Sequence, residues 1–258
     1  MPSAAMRYLV FLCALAMPLV AWFSERGAFG PDNGTVSDRY PTLIVAAGYA
    51  FAIWGPIFLL DVVFGFWQAF LVGSRKGAAL RRVAPVAGLG FALTASWMIV
   101  FPMQLFWLAL AVIWLALACL LYCADILARE RPRSTALAWI GLLPLSLHAG
   151  WLGLAAFLNL AQVIVAYRLL STSDMLWWSL LLLTGAVLLL LAGNRRMRGN
   201  LAFAFAGIWG LAAVYVKQSD SDLPGAETMA MAAAIAAGLL VAQTIWLTAT
   251  QARPGSTG

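Results

Sequence analysis

A chain of 258 residues with 64% hydrophobic side chains, 10% charged side chains and a mean hydropathy of +0.90 is not a water-soluble globule, which carries about 25% charge. Its apolar runs match the roughly 20 residues that an α-helix needs to cross a bilayer, and they lack the alternation of a β-barrel, so the expected class is an all-α integral membrane protein. The net charge of +6 sits in short clusters between apolar runs, which points to orientation in a lipid bilayer and not to nucleic acid.

The first run, 7–23, pairs Arg7 with apolar residues as a secretory signal would, but Leu19, Val20 and Ala21 make a poor cleavage site, so a retained helix is expected. The segment SERGAFGPDNGTVSDRYPT (24–42) follows as the longest connection. Its Gly, Pro and Asn predict an irregular outer loop, of a length often used as a lid or binding element. The second run, 43–72, carries Trp54, Phe58, Asp61, Gly65 and Gln68 on one helical face. Gly55 and Pro56 within it predict a local loosening of the helix, since Pro removes a backbone donor and Gly a side chain.

No charge occurs from Pro85 to Cys123, too long a stretch for one helix. The sequence FPMQ (101–104) is the place for a tight turn, which gives helices at 84–101, with Gly90, Thr94, Trp97 and Phe101 on one face, and at 104–124. The next run, 136–168, would span about 50 Å as one helix and carries Pro144, His148, Trp151, Ala155 and Asn159 on one face. Charge decides that it is one helix. Arg7, Arg75, Lys76, Arg81, Arg82, Arg129, Arg131, Arg133, Arg195, Arg196, Arg198 and Arg253 then share one side, and Arg26, Arg39, Arg168 and Lys217 the other. With further helices at 175–193, 199–216 and 227–250, eight transmembrane helices are predicted, with both termini cytoplasmic by the positive-inside rule.

Asp61 and His148 each lie about 12 residues from the cytoplasmic ends of their helices, roughly 18 Å deep. A carboxylate there costs at least about 2.5–3.5 kcal/mol unless it is paired, protonated or facing water. His148 is the candidate partner and a pocket facing Asp61 the alternative. A protonated, hydrogen-bonded packing role remains open for the Asp, as does a satisfied core role for the His. Trp177 and Trp178 read as an interfacial belt. Trp54, Trp97 and Trp151 share their stripes with small or polar residues and read as cavity-lining. Cys13, Cys119 and Cys123 read as packing residues.

FAIWGPIF (51–58), TASWMIVF (94–101) and WLGLAAFLN (151–159) occur in order on the second, third and fifth predicted helices. Together they resemble the aromatic motifs of the TspO/MBR family, the tryptophan-rich sensory proteins that include the mitochondrial translocator protein. Thr94 stands where that family usually has Asn, and Pro144 lies seven residues before Trp151, with His148 in the enlarged gap. The resemblance covers 1–170 and implies a five-helix bundle with a pocket under the first loop, while 171–258 supplies three additional helices. It implies binding of a flat hydrophobic ligand such as a porphyrin, a haem-like tetrapyrrole or a sterol. The ligand-binding residues would be Phe51, Trp54, Phe58, Asp61, Thr94, Trp97, His148, Trp151, Ala155 and Asn159. No obligatory cofactor, metal site or enzymatic activity is expected, a homodimer is compatible with the resemblance, and the location expected is a bacterial inner membrane. The alternative reading is a small proton-coupled transporter that uses Asp61 and His148 as a relay.

Overall fold

The computed structural model describes residues 4–71, 78–130 and 134–252. In hydrocarbon every backbone polar group must be satisfied within its own segment, and the apolar runs accordingly close their hydrogen bonds as helices. These are α1 (Ala4–Glu25), α2 (Asn33–Arg39), α3 (Trp54–Phe66), α4 (Ala78–Val100), α5 (Phe106–Arg129), α6 (Leu143–Ala166), α7 (Met175–Arg196), α8 (Leu201–Ser219) and α9 (Ala226–Ala252). Among the described residues, eight helical spans are long and apolar enough to cross a membrane. Two are composite. The span Gly48–Leu71 begins as a 3-10 helix (Gly48–Ile53), continues as α3 and ends in a π segment (Trp67–Leu71), and Leu137–Ala166 begins as a π segment (Leu137–Leu142) before α6. The long run at 136–168 is therefore one span. Arg75, Lys76, Arg131, Arg133 and Arg253, used above for orientation, lie outside the described residues.

Three local expectations are corrected. Gly55 and Pro56 do not loosen the middle of a helix; they occupy the first turn of α3, just after the 3-10 segment. The amide that proline lacks has no intrahelical partner in a first turn, so the residue costs little there. The first loop is not wholly irregular, because Asp32 caps α2 by accepting from the Thr35 amide and hydroxyl. Trp178 is not a belt residue. Adjacent helical positions are turned about 100° apart, which leaves Trp177 73% exposed but brings Trp178 inward at 7%, with its Nε1 donating to the Ser171 carbonyl.

Helix α6 lies at the centre, packed against α3, α5, α7 and α8. Small residues make that position possible, since lipid gives helices no hydrophobic reason to associate and close approach must supply dispersion contact. A Cβ on Gly150 would come within 2.3 Å of the Phe203 carbonyl oxygen, so the backbones of α6 and α8 nearly touch. Helices α4 and α5 form a hairpin around residues 101–104, where Gln104 takes φ 59° and accepts from the Tyr40 hydroxyl at 2.8 Å. The segment 42–50 is fixed to α8: the Ala47 amide donates to Ala213, Gln218 Nε2 to Thr42 and Val45, and Trp209 Nε1 to Ala50. That attachment sets the position of the 3-10 segment and of the aromatic residues that follow it.

Candidate functional site

Three helices bring the polar stripes together. His148 Nδ1 lies 2.7 Å from Asp61 Oδ2, and both side chains are fully buried. His148 Nε2 lies 3.2 Å from Thr94 Oγ1, and that hydroxyl also reaches the Gly90 carbonyl of its own helix at 3.0 Å. The hydroxyl has one proton. When it donates to Gly90, it accepts from an Nε2–H, and Nδ1 then either donates to an Asp61 carboxylate or accepts from a protonated Asp61. Both arrangements carry zero net charge, as a site at hydrocarbon depth requires. Asp61 Oδ1 has no hydrogen-bond partner among the described residues.

Above this polar unit lies an aromatic assembly. Trp54 stacks on Phe58 at 5.0 Å between ring centroids and presents an edge-to-face contact to His148 at 5.6 Å and to Trp151 at 5.9 Å. Trp97 stacks on Phe101 at 4.5 Å, and its Nε1 donates to Asn159 Oδ1 at 2.9 Å. Phe51, Trp54, Trp97, Trp151, Ala155 and Asn159 line a chamber of about 30 Å³ beneath α2 and the segment 45–50. That volume holds roughly two water molecules. The side chains fill most of the space between them, so a larger ligand requires the walls to part. Phe58 lines a neighbouring groove, while Asp61, Thr94 and His148 are not among the residues on the chamber wall.

Buried hydrogen-bond donors without acceptors are uncommon in folded proteins. Around this chamber, Trp54 Nε1, Trp151 Nε1 and Gln162 Nε2 are all buried and without a partner among the described residues. Gln162 was not among the expected site residues, although it continues the stripe of Trp151, Ala155 and Asn159 by one more turn. Ser37 also reaches the chamber, from α2. It carried no periodic signal, because its helix was read as irregular loop. Phe91 lies parallel to His148 at 6.3 Å.

A family model described as TSPO-like protein matches residues 7–246. The chain belongs to the TSPO-like family. The match runs through α7 and α8 and most of α9, beyond the three aromatic motifs that carried the resemblance. No curated protein and no solved structure matches the chain. Membership in the TSPO-like family and the buried aromatic assembly are compatible with a membrane protein that binds hydrophobic ligands.

Proposed function

We propose that this TSPO-like protein binds a flat, largely apolar ligand bearing hydrogen-bond acceptors, of the porphyrin or haem-like tetrapyrrole class, between the tryptophans of the chamber. The carrying observation is the set of three unpartnered donors, Trp54 Nε1, Trp151 Nε1 and Gln162 Nε2, beside aromatic faces. Aromatic walls suit a planar apolar ring system, and a few convergent donors orient its carboxylate or carbonyl groups. A sterol offers a smaller acceptor set and ranks below. The chamber is well under the roughly 300 Å³ of an ordinary small-molecule site, so binding is coupled to displacement of Trp54 and Phe51. The role is binding and not catalysis, and the ligand is cargo or signal with no obligatory cofactor.

Titration of the detergent-solubilised protein with protoporphyrin, haem and a sterol tests the reading. Protoporphyrin and haem should quench tryptophan fluorescence. Trp54→Leu and Trp151→Leu should each weaken binding, and Trp177→Leu, at an exposed position, should leave it unchanged. No saturable quenching, or equal weakening by all three substitutions, overturns it.

A second reading, proton-coupled transport, is favoured by the direct Asp61–His148 contact. Proton uptake by liposomes carrying the protein, abolished by Asp61→Asn, would support it; uptake that survives this change excludes it.

A further inference from the structure

Helices α5 and α7 both pack on α6, and a groove of about 360 Å³ lies between them. Ala118, Leu121 and Tyr122 of α5 form one wall, and Leu189, Ala192 and Gly193 of α7 the other. Ala118 and Ala192 are exposed, so their small side chains leave the groove open along its rim. Both walls belong to spans long and apolar enough to cross the membrane, which makes hydrocarbon the medium along most of that rim. The groove shares no residue with the chamber.

Its polar end gathers two arginines about one carboxylate. Asp125 accepts from Arg196 Nε at 3.1 Å and from Arg196 Nη2 at 2.8 Å, and both residues line the groove. That fork fixes the Arg196 guanidinium and leaves its Nη1 outside the pair. Arg129, one turn after Asp125, comes only within 3.8 Å of the same carboxylate, a loose surface contact that holds its side chain weakly. The two arginine side chains are 62% and 59% exposed. Glu130 lies 3.7 Å from Arg82, so it does not neutralise Arg129. Two guanidinium groups against one carboxylate leave a surplus of one positive charge. Helix α5 ends at Arg129 and α7 at Arg196, after 24 and 22 residues. Such helices are about 33–36 Å long, so the surplus lies at head-group depth.

We infer that this groove binds an anionic phospholipid of the bilayer, with one acyl chain between α5 and α7 and the phosphodiester on Arg129 and Arg196. Charge selects the head. One phosphodiester brings the cluster to neutrality, whereas a zwitterionic head sets a further cation beside two guanidinium groups. The donors suit it as well, because a planar guanidinium matches the spacing of phosphate oxygens, and a basic pocket between membrane helices is a general form of lipid head-group recognition. The groove supplies the remaining contact: from Asp125 to Ala118 it follows α5 for seven residues, about 10 Å, which takes the upper part of one chain. A protein that bound no tetrapyrrole would still bind this lipid.

Thermal unfolding of the full-length protein in a neutral detergent tests the inference, with dioleoylphosphatidylglycerol, dioleoylphosphatidylcholine and glycerophosphoglycerol as probes. Near 100-fold excess over the dissociation constant, phosphatidylglycerol should raise the midpoint by about 5–10 °C more than phosphatidylcholine does. Glycerophosphoglycerol, the same head without chains, should not raise it. The double change Arg129→Gln with Arg196→Gln should remove the difference between the two lipids, and Arg195→Gln, beside the groove but not on its wall, should keep it. Ala192→Phe fills the groove from an exposed position and should also remove the difference; Ala118→Phe does so from the opposite wall if the first variant folds poorly. Equal shifts from the two lipids overturn the anionic head. A full shift from the chainless head overturns the groove. A difference that survives the double arginine change or both phenylalanine variants overturns the site, and one lost equally in Arg195→Gln assigns the effect to diffuse surface charge.

Discussion

A carboxyl and an imidazole 2.7 Å apart with no exposure are stable in hydrocarbon as a unit, and each becomes a liability without the other. Breaking such a pair costs about 3–5 kcal/mol, so Asp61→Ala and His148→Ala should each lower unfolding free energy in detergent by that order. The double variant should lose less than the sum, and strictly additive losses would mean that the residues do not interact. Thr94→Val removes the group that reaches His148 Nε2 and should cost about 1 kcal/mol. Sequence spacing put Asp61 and His148 at one depth, but their meeting depends on helix rotation, which spacing does not specify. The same limit explains Trp178: a Trp-Trp pair beside a loop reads as a belt, whichever of the two points inward.

At the scale of elements, glycines separate close approach from mere permissiveness. Gly150→Ala drives a Cβ onto the backbone of α8 and should destabilise by about 1–3 kcal/mol or more. Gly238→Ala, in α9 with nothing within 4 Å, should stabilise by about 0.5–1 kcal/mol. Unfolding of the two variants in parallel checks both signs. In α2, the Thr35 hydroxyl beside Asp32 holds its carboxyl below the usual range. A depressed folded pKa gives stability that is present above the unfolded value of about 3.9 and lost as pH falls through the lower folded value. The protection factors of the amides in residues 33–39, their exchange relative to an unstructured chain at the same pH, should therefore fall on acidification below about pH 4. Asp32→Ala should reproduce this at neutral pH, by about fivefold for a cap of about 1 kcal/mol. That helix was not read from the sequence, where the glycines and proline of 24–42 predicted an irregular loop, and the Asp32 cap is what the structure adds. The span boundaries were more visible, because long apolar runs and charge clusters report burial directly. The 3-10 and π segments were not, because they arise from packing.

For the molecule as a whole, eight spans among the described residues are long and apolar enough to cross the membrane, and from the 16 Lys and Arg residues, four of them expected on the opposite side, we propose by the positive-inside rule that both termini are cytoplasmic. On a background lacking Cys13, Cys119 and Cys123, Arg195→Cys should react with impermeant reagent only from the cytoplasmic face and Ser173→Cys only from the other. Labelling of both from one face would remove α7 as a span.

The attachment of segment 42–50 to α8 has a consequence in time. Trp209 and Ala50 are 159 residues apart in the chain, and Gln218 and Thr42 are 176 apart. At about 5–20 residues per second of synthesis, the wall over the chamber waits on the order of ten to thirty seconds for its anchors. During that interval the early helices can already lie in the bilayer while the residues leading to Trp54 lack their hydrogen bonds to α8. The chamber is therefore among the last parts of the protein to take shape, although most of its aromatic residues are among the first to be made.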